Sequence, residues 1–243
     1  MTKQRLDSAL TAMGLAPTRS QAESIIKLGE VKVNGQVVTK PGHFVPMNAD
    51  IAMVEMQRYV SRAGLKLASV ASLLGLRFEE KIVLDVGSST GGFTDYALRH
   101  GAKRVYAVDV GTEQLHYSLR KNRRIELHEK TDIRDFIPKK TPDIIVIDVS
   151  FISLRDILPH LAKSVAGPET QIVAMVKPQF EAGRNQTNKG VIKNDSVRRQ
   201  ILKDFEFWSK EYFNIVDKRD SDVAGAKGNQ ERFYLLKLNK TKN

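Results

Sequence analysis

Seven short apolar segments, separated by stretches of helical spacing, constrain the fold of this 243-residue chain more than any other feature. The segments are KIVLDVG, RVYAVDVG, IELHEK, PDIIVIDVS, QIVAMVKP, FNIVDKRDS and ERFYLLKL, all after residue 80. Helical stretches lie near residues 92–100, 113–121, 154–165 and 195–211. Continuous apolar strands that alternate with helices are typical of a parallel sheet covered on both faces. Only the loop DVAGAKGN separates the last two segments, so we predict an α/β fold with a seven-stranded, mostly parallel sheet and an antiparallel last pair.

The first 56 residues follow a different pattern, which predicts a small α+β domain. The segment RLDSALTAM has helical spacing, and a second helix is predicted to begin after the N-cap Thr18 and to end at Gly29. Asn34-Gly35 is the strongest short signal for a β-hairpin. We therefore expect a domain over residues 1–56, a linker over 57–62 and a larger domain over 63–243.

The order helix, helix, hairpin resembles the S4 RNA-binding domain, and the stretch LGEVKVNGQ supports the resemblance. In that family basic side chains contact RNA phosphates. The resemblance implies this role for Arg5, Arg19, Lys27 and Lys32, and Arg62 in the linker joins them as a candidate. The alternative is that these are ordinary solvated charges, because residues 1–60 hold seven basic and five acidic side chains.

The charge of the whole chain favours a polyanionic partner. Lys and Arg number 39 against 28 Asp and Glu, a net charge of +11, which points to nucleic acid first and to an anionic membrane surface second. With no cysteine and five scattered histidines, neither disulfides nor a protein-ligated metal are expected. The sequence shows no signal peptide and no apolar run of membrane-spanning length. We expect a cytoplasmic protein, bound to no membrane and no metal, that is either a monomer or a homodimer.

The segment DVGSSTGGF, between the first strand and a helix, predicts a cofactor-binding turn at the carboxyl edge of the sheet. A nicotinamide fingerprint has glycine at its third position, where this chain has Ser89. Asp109 follows the second strand, 22 positions after Gly87, where a carboxylate can accept both hydroxyls of a ribose. These features alone fit NAD and S-adenosylmethionine (SAM) equally well.

Acidic residues at the ends of the first four strands favour SAM. Asp85 precedes the turn, Asp132 follows the third strand, and Asp148 follows the fourth. Any one of them taken singly is better explained as a helix cap or a turn-stabilising carboxylate. Together they match a sulfonium and an ammonium better than a pyrophosphate. The predicted SAM-binding residues are Asp85, Gly87, Ser88, Ser89, Thr90, Gly91, Gly92, Phe93, Asp109, Asp132 and Asp148.

Four charged residues near the strand ends point to the reaction. Lys66 lies on the helix before the first strand, and Asp148 ends the fourth strand. Lys177 ends the fifth strand, and Glu231 begins the seventh. This order, Lys-Asp-Lys-Glu, resembles the catalytic tetrad of the 2′-O-ribose methyltransferases related to FtsJ. With the S4-like segment and the motifs YVSRAGLKL, DVSFISL, VKPQFEAGR and KGNQERF, the chain is similar to the TlyA family of ribosomal RNA 2′-O-methyltransferases, historically labelled haemolysins.

That resemblance implies a Rossmann-like methyltransferase sheet, SAM as cofactor, and ribosomal RNA or ribosomal subunits as partner. It also implies that Lys177 orients or deprotonates a ribose 2′-hydroxyl, while the acids of the tetrad hold the two lysines in place. One segment, SDVAGAKGN, departs from the family pattern because it lacks a proline after the aspartate, which leaves the shape of that loop open.

Three further residues are candidates for substrate contact. Phe151 is placed either to stack on the target base or SAM, or to be an ordinary core residue. Arg184 and Lys189 lie in the segment FEAGRNQTNKGVIKN, which either grips the substrate or is a mobile surface loop.

Other functions are weighed against this one. A dehydrogenase would explain the turn and Asp109 but neither the S4-like segment nor the tetrad. An RNA-binding protein with a catalytically weak methyltransferase-like domain stays open. A haemolysin, as the old family label implies, is disfavoured because neither an export signal nor a spanning segment is present.

Overall fold

Two structural units, residues 1–58 and residues 59–243, make up the chain. The computed structural model describes residues 3–16, 18–54, 59–183, 190–192, 194–225 and 228–239.

The first unit contains two helices and two small sheets. Helices α1 and α2 span Leu6–Ala12 and Arg19–Lys27. Strands β1 to β5 span Lys3–Arg5, Val31–Val33, Gln36–Val37, Phe44–Pro46 and Ile51–Met53. Strands β3, β2 and β5 form one antiparallel sheet, and β1 pairs with β4 in another.

The predicted N-cap and hairpin of this unit are confirmed. The Thr18 hydroxyl accepts a hydrogen bond from the backbone N–H of Gln21 at 3.3 Å, at the start of α2. Asn34 and Gly35 have φ values of 50° and 78°, and a two-residue hairpin turn of this type needs positive φ at both positions. The pairing of β1 with β4 was not predicted, because Lys3–Arg5 has no apolar residue to mark it as a strand.

The second unit is built on a seven-stranded sheet with the order β11-β12-β10-β9-β6-β7-β8. Strands β6 to β12 span Ile82–Val86, Arg104–Val108, Ile125–His128, Ile144–Ile147, Gln171–Val176, Phe213–Asp220 and Arg232–Leu238. Strands β6 to β10 run parallel, while β12 is antiparallel to both β10 and β11. The predicted sheet, with its antiparallel last pair, is confirmed.

Helices cover this sheet. Helices α3 to α8 span Arg62–Ala71, Gly92–Arg99, Tyr117–Arg120, Leu158–His160, Pro178–Glu181 and Asp195–Ser209. Short 3₁₀ turns span Ile133–Asp135 and Leu154–Asp156, and a π-turn spans Leu161–Val165. Within the described ranges, no helix combines the length and apolar character that crossing a membrane requires.

The helix predicted near 113–121 is much shorter than expected. Only Tyr117–Arg120 is helical. Glu113 has a φ of 56°, and His116 is extended and caps α5 by accepting from the N–H of Ser118. This local backbone geometry excludes residues 113–116 from the helix.

Both faces of the sheet are buried, as the continuous apolar strands predicted. Val83 in β6 packs into a core beneath α3 and α4, while its neighbour Leu84 packs into a second core with Leu202 and Phe205 of α8. The alternation of side chains along a strand therefore feeds two cores. Because both faces of the sheet are apolar, the charged residues of the predicted site lie at the carboxyl edge of the sheet.

Candidate active site

The turn after β6 requires glycine at two positions. Gly91, the N-cap of α4, has a φ of 92°, a conformation that strongly favours glycine. Gly87 lies against the neighbouring strand end, since a Cβ added there would be 2.6 Å from the carbonyl oxygen of Asp148. Both glycines are therefore required by the backbone path itself.

Asp85 is a buried carboxyl group with one unsatisfied oxygen. Its Oδ2 accepts from the Thr94 hydroxyl at 2.6 Å, while its Oδ1 has no hydrogen-bond partner in the described part of the chain. Burial raises the pKa of Asp85 to about 7, the negative charge of Asp148 adds to this, and the bond from Thr94 opposes it. An unpaired carboxylate in such a place is costly unless a cation approaches it.

A cavity opens beside this carboxyl group. It is bordered by the turn residues, by Ala63 of α3, and by Asp148, Ser150 and Lys177. Ser88 is also buried there, and its hydroxyl has no partner among the described residues. These unsatisfied groups fit the charged methionine end of SAM, with Asp85 able to hold a cation and Ser88 able to bond to a polar group.

Asp109 is already bonded within the turn. Its Oδ2 accepts from the N–H of Ser89 at 2.8 Å, and its Oδ1 accepts from the N–H of Gly111 at 2.7 Å. A carboxylate has about four lone-pair positions, so both oxygens can still accept from a ribose. Its contact with the turn also fixes the position from which it would do so.

Asp132 has a local structural role. It caps the 3₁₀ turn that follows it and forms an ion pair with Arg134 at 2.6 Å. The bond from Arg134 lowers the pKa of Asp132. The turn-stabilising alternative is thus present in the structure, and contact of Asp132 with SAM stays a proposal.

The strand register explains why the tetrad residues meet. Strand β12 runs antiparallel, so its beginning lies at the edge where the parallel strands end. Val176 pairs with Arg232, and one step further the register places Lys177 opposite Glu231. Asp148 follows the adjacent strand β9.

The tetrad forms two buried ion pairs. Lys66 Nζ lies 2.5 Å from Glu231 Oε2, and Lys177 Nζ lies 2.6 Å from Asp148 Oδ1. The four side chains are between 2% and 16% exposed, so water screens these pairs weakly. The structure places all four residues that the sequence singled out at this edge of the sheet, as two pairs.

Ser150 and Phe180 also lie close to the amine of Lys177. Lys177 donates to the hydroxyl of Ser150 at 2.8 Å, and its Nζ lies 5.9 Å from the ring centroid of Phe180. The ring of Phe180 in turn packs against that of Phe151 at 5.3 Å. Phe151 is 92% exposed, so the interpretation of it as a core residue is wrong.

The four basic candidates of the first unit differ in their contacts, since two bond to a buried carboxylate and two are exposed. Arg5 and Arg19 both bond to the buried carboxylate of Asp7, Arg5 at 2.6 Å and Arg19 at 3.2 Å, and remain half-exposed. Lys27 and Lys32 are exposed. Asp7 therefore orders two of the four side chains.

The remaining candidates are placed only in part. Arg62, at the start of α3, donates to the carbonyl of Ala224 at 2.8 Å. Arg184 and Lys189 lie outside the described residues.

Sequence reasoning missed three polar residues of the site, namely Thr94, Ser150 and Glu181. Ser150 lies two positions after Asp148 and Thr94 lies in the helix after the turn, so position alone was a weak signal for both. Glu181 accepts from the Ser153 hydroxyl and the Leu154 N–H, contacts that no sequence pattern indicates.

Comparison with known proteins agrees with this geometry. The model of the FtsJ-like methyltransferases matches residues 59–238, and the model of the S4 domain matches residues 4–51. The chain belongs to the FtsJ-like methyltransferases. Hemolysin A of Brachyspira hyodysenteriae is 41% identical over 93% of this chain and 97% of its own length.

Two further relatives of this FtsJ-like chain are informative. A Mycobacterium tuberculosis protein, named 16S/23S rRNA (cytidine-2′-O)-methyltransferase TlyA, is 35% identical over 97% of the chain and 90% of its own. A solved structure of a hemolysin-like protein from Streptococcus thermophilus is 40% identical, covers 99% of this chain and 90% of its own, and has a TM-score of 0.74. The chain therefore belongs to the TlyA and hemolysin A group.

Membership of this family confirms three predictions from the sequence. These are the resemblance to the TlyA family, the methyltransferase fold and the class of enzyme. This FtsJ-like chain is a SAM-dependent methyltransferase rather than a dehydrogenase. Its S4 domain marks it as an enzyme with an RNA-binding module.

Proposed function

We propose that the chain methylates a ribose 2′-hydroxyl of ribosomal RNA, with Lys177 orienting or deprotonating that hydroxyl. The observation that supports this most is the pairing of Lys177 with Asp148 at the border of the cavity that contains Asp85. A fixed amine is thereby held next to the place suited to a cationic methyl donor. The Mycobacterium relative carries the name of an enzyme with this activity on 16S and 23S rRNA.

Lys177 is constrained by its two partners. An ammonium has three N–H groups, of which one donates to Ser150, while Asp148 lies 2.6 Å away as the ion-pair partner. An ammonium held in this way can still donate to a substrate oxygen. This oxygen is then held at a fixed point relative to the cavity, which is the main requirement for in-line attack.

The chemistry needs positioning more than it needs a strong base. SAM, when bound, supplies a methyl group on a sulfonium, which is a good electrophile. A ribose hydroxyl is a weak nucleophile, so Lys177 has to aim its oxygen and, in the neutral form, accept its proton. Lys66 and Glu231 lie at the same edge and hold a second buried amine near the site.

RNA contact is assigned to the S4 domain and to the exposed ring of Phe151. Arg5 and Arg19, ordered by Asp7, are suited to bond with phosphates. Phe151 is exposed and packs on Phe180, whose ring lies near Lys177, so an unstacked base can lie on it. Lys27, Lys32, Arg62, Arg184 and Lys189 are retained as proposed RNA contacts, and Asp109 and Asp132 as proposed contacts with SAM.

The deciding experiment is a methyl-transfer assay. Purified protein is incubated with labelled SAM and either protein-free rRNA or isolated ribosomal subunits, and mass spectrometry maps the ribose methylation. Lys177→Met should lose turnover while its affinity for SAM stays near that of the unaltered protein, and Lys163→Met, at an exposed lysine, is the matched control. Methylation by Lys177→Met at a comparable rate would remove Lys177 from the mechanism. A lack of ribose methylation on any of these RNAs by the unaltered protein would refute the proposed function.

A further inference from the structure

Two segments at the site are joined along their length. The first, the loop of residues 148–154, follows β9, and the second, residues 177–181, follows β10 and contains α7. Lys177 contacts Asp148 and Ser150 at one end of this junction. Phe180 packs on Phe151 in the middle.

Glu181 connects the two segments at the end opposite to Lys177. Its Oε2 accepts from the Ser153 hydroxyl at 2.6 Å, and its Oε1 accepts from the N–H of Leu154 at 2.7 Å. Its side chain is only 2% exposed. Both carboxylate oxygens are thus used to hold the first loop, and hydrogen bonds to a buried charged acceptor are the stronger kind.

The first loop needs such a restraint because its backbone is strained. Phe151 has a φ of 66°, in the left-handed region that a bulky residue rarely adopts. A residue in this region is strained and persists only when its surroundings enforce it. Phe180 packs on the strained residue itself, and Glu181 bonds to Ser153 and Leu154 just after it, so these contacts provide that enforcement.

We propose that Glu181 is a positioning residue for methyl transfer, which holds the loop of residues 148–154 so that Asp148 stays on Lys177 and Phe151 faces the RNA. This inference rests on the proposed function. Glu181 touches neither amine of the tetrad in the described contacts, so it acts through the loop. The role is mechanical, and a side chain of the same shape should largely replace it.

Three variants test this role. Glu181→Ala removes both bonds, and displacement of the loop by even about 1 Å should lower kcat by roughly a hundredfold. Glu181→Gln keeps an acceptor for Leu154 and a polar contact with Ser153, so its kcat should fall by only about threefold. Glu169→Ala, at a carboxylate that is 94% exposed, is the control and should match the unaltered protein.

A double-mutant cycle separates the proposed path from a general loss of structure. If Glu181 acts by placing Phe151, the double variant Glu181→Ala/Phe151→Ala should be little worse than the poorer single variant, because the two changes remove one interaction. Effects that multiply would overturn the proposal. So would a Glu181→Gln enzyme as impaired as Glu181→Ala, or a Glu181→Ala enzyme within threefold of the unaltered one.

A spectroscopic measurement keeps the test independent of catalysis. Trp208 is the single tryptophan of the chain, and the guanidinium of Arg155 lies 5.6 Å from its ring centroid. Arg155 follows the loop and lies 3.8 Å from Glu181. The emission of Trp208 should therefore change in Glu181→Ala, change less in Glu181→Gln, and stay the same in Glu169→Ala.

The outcomes distinguish failure of the inference from failure of the proposed function. If the unaltered protein methylates no RNA, the proposed function fails, but unchanged Trp208 emission in Glu181→Ala would separately refute the restraint. If Glu181→Ala does not fold, Ser153→Ala removes one of the two bonds and should lower kcat by about tenfold. An unchanged kcat in that variant would overturn the inference.

Discussion

The buried carboxyl of Asp85 predicts that binding of the methyl donor depends on pH. Burial raises the pKa of Asp85 to about 7, so the group is largely protonated at pH 6 in the free protein. A cationic donor favours the ionised form. The apparent dissociation constant equals the intrinsic one divided by the competent fraction, so the dissociation constant for SAM should be about tenfold larger at pH 6 than above pH 8.

Titration calorimetry measures this coupling directly. Binding should release close to one proton at pH 6 and about half a proton at pH 7, seen as a dependence of the heat on the buffer. Asp85→Asn should bind SAM roughly 10- to 100-fold more weakly at pH 7.5, because a charge-assisted contact is lost. Its affinity should also vary less with pH.

The comparison with Asp85→Asn is essential because the amino group of the donor also titrates near pH 8. That titration is common to both proteins and cancels in their difference, and Asp204→Asn, at an exposed acid, controls for substitution itself. A flat affinity between pH 6 and 7.5, or an equal slope in Asp85→Asn, would refute the role given to Asp85.

Three other perturbations have definite expected results. Glu231→Gln leaves Lys66 as an uncompensated buried charge and should lower the free energy of unfolding in urea by about 3–5 kcal/mol. The double change Lys66→Met/Glu231→Gln should recover much of this loss. An equal loss in the single and the double variant would contradict the ion pair. Gly91→Ala requires a side chain at a φ of 92°, which should cost about 1–3 kcal/mol and weaken SAM binding in calorimetry. Because Arg5 holds the pKa of Asp7 well below its ordinary value, the stabilisation from Asp7 is present above about pH 4 and is lost as the pH falls. Asp7→Asn should flatten this acid limb in circular dichroism, and an unaltered limb would count against the Arg5 contact.

The sheet and its reactive edge were predictable because they depend on periodicity and direction alone. Continuous apolar runs give buried parallel strands, and parallel strands end at one edge. Asp148 and Lys177 could therefore be expected near each other without any knowledge of side-chain contacts. The position of Glu231 followed once the last pair was taken as antiparallel.

The contacts across loops were not predictable. Glu181 meets Ser153 at a separation of 28 residues, and no spacing rule relates the two. The helix near 113–121 was overpredicted because the left-handed backbone at Glu113 leaves no mark in the hydrophobic pattern. The role of Asp132, by contrast, was predictable. It caps the N–H of Arg134 only two residues away, and such a local contact can be recognised in the sequence.

The position of the antiparallel strand β12 has a consequence for how the protein folds during its synthesis. This strand is the last of the seven strands along the chain, yet it lies between β10 and β11 rather than at a border. A nascent polypeptide that has emerged only as far as β11 thus lacks the strand that lies between β10 and β11, and it has no Glu231 to meet Lys66. Catalytic competence should arise only after synthesis has passed residue 238, so a truncated translation product would carry the RNA-binding module without a working methyltransferase.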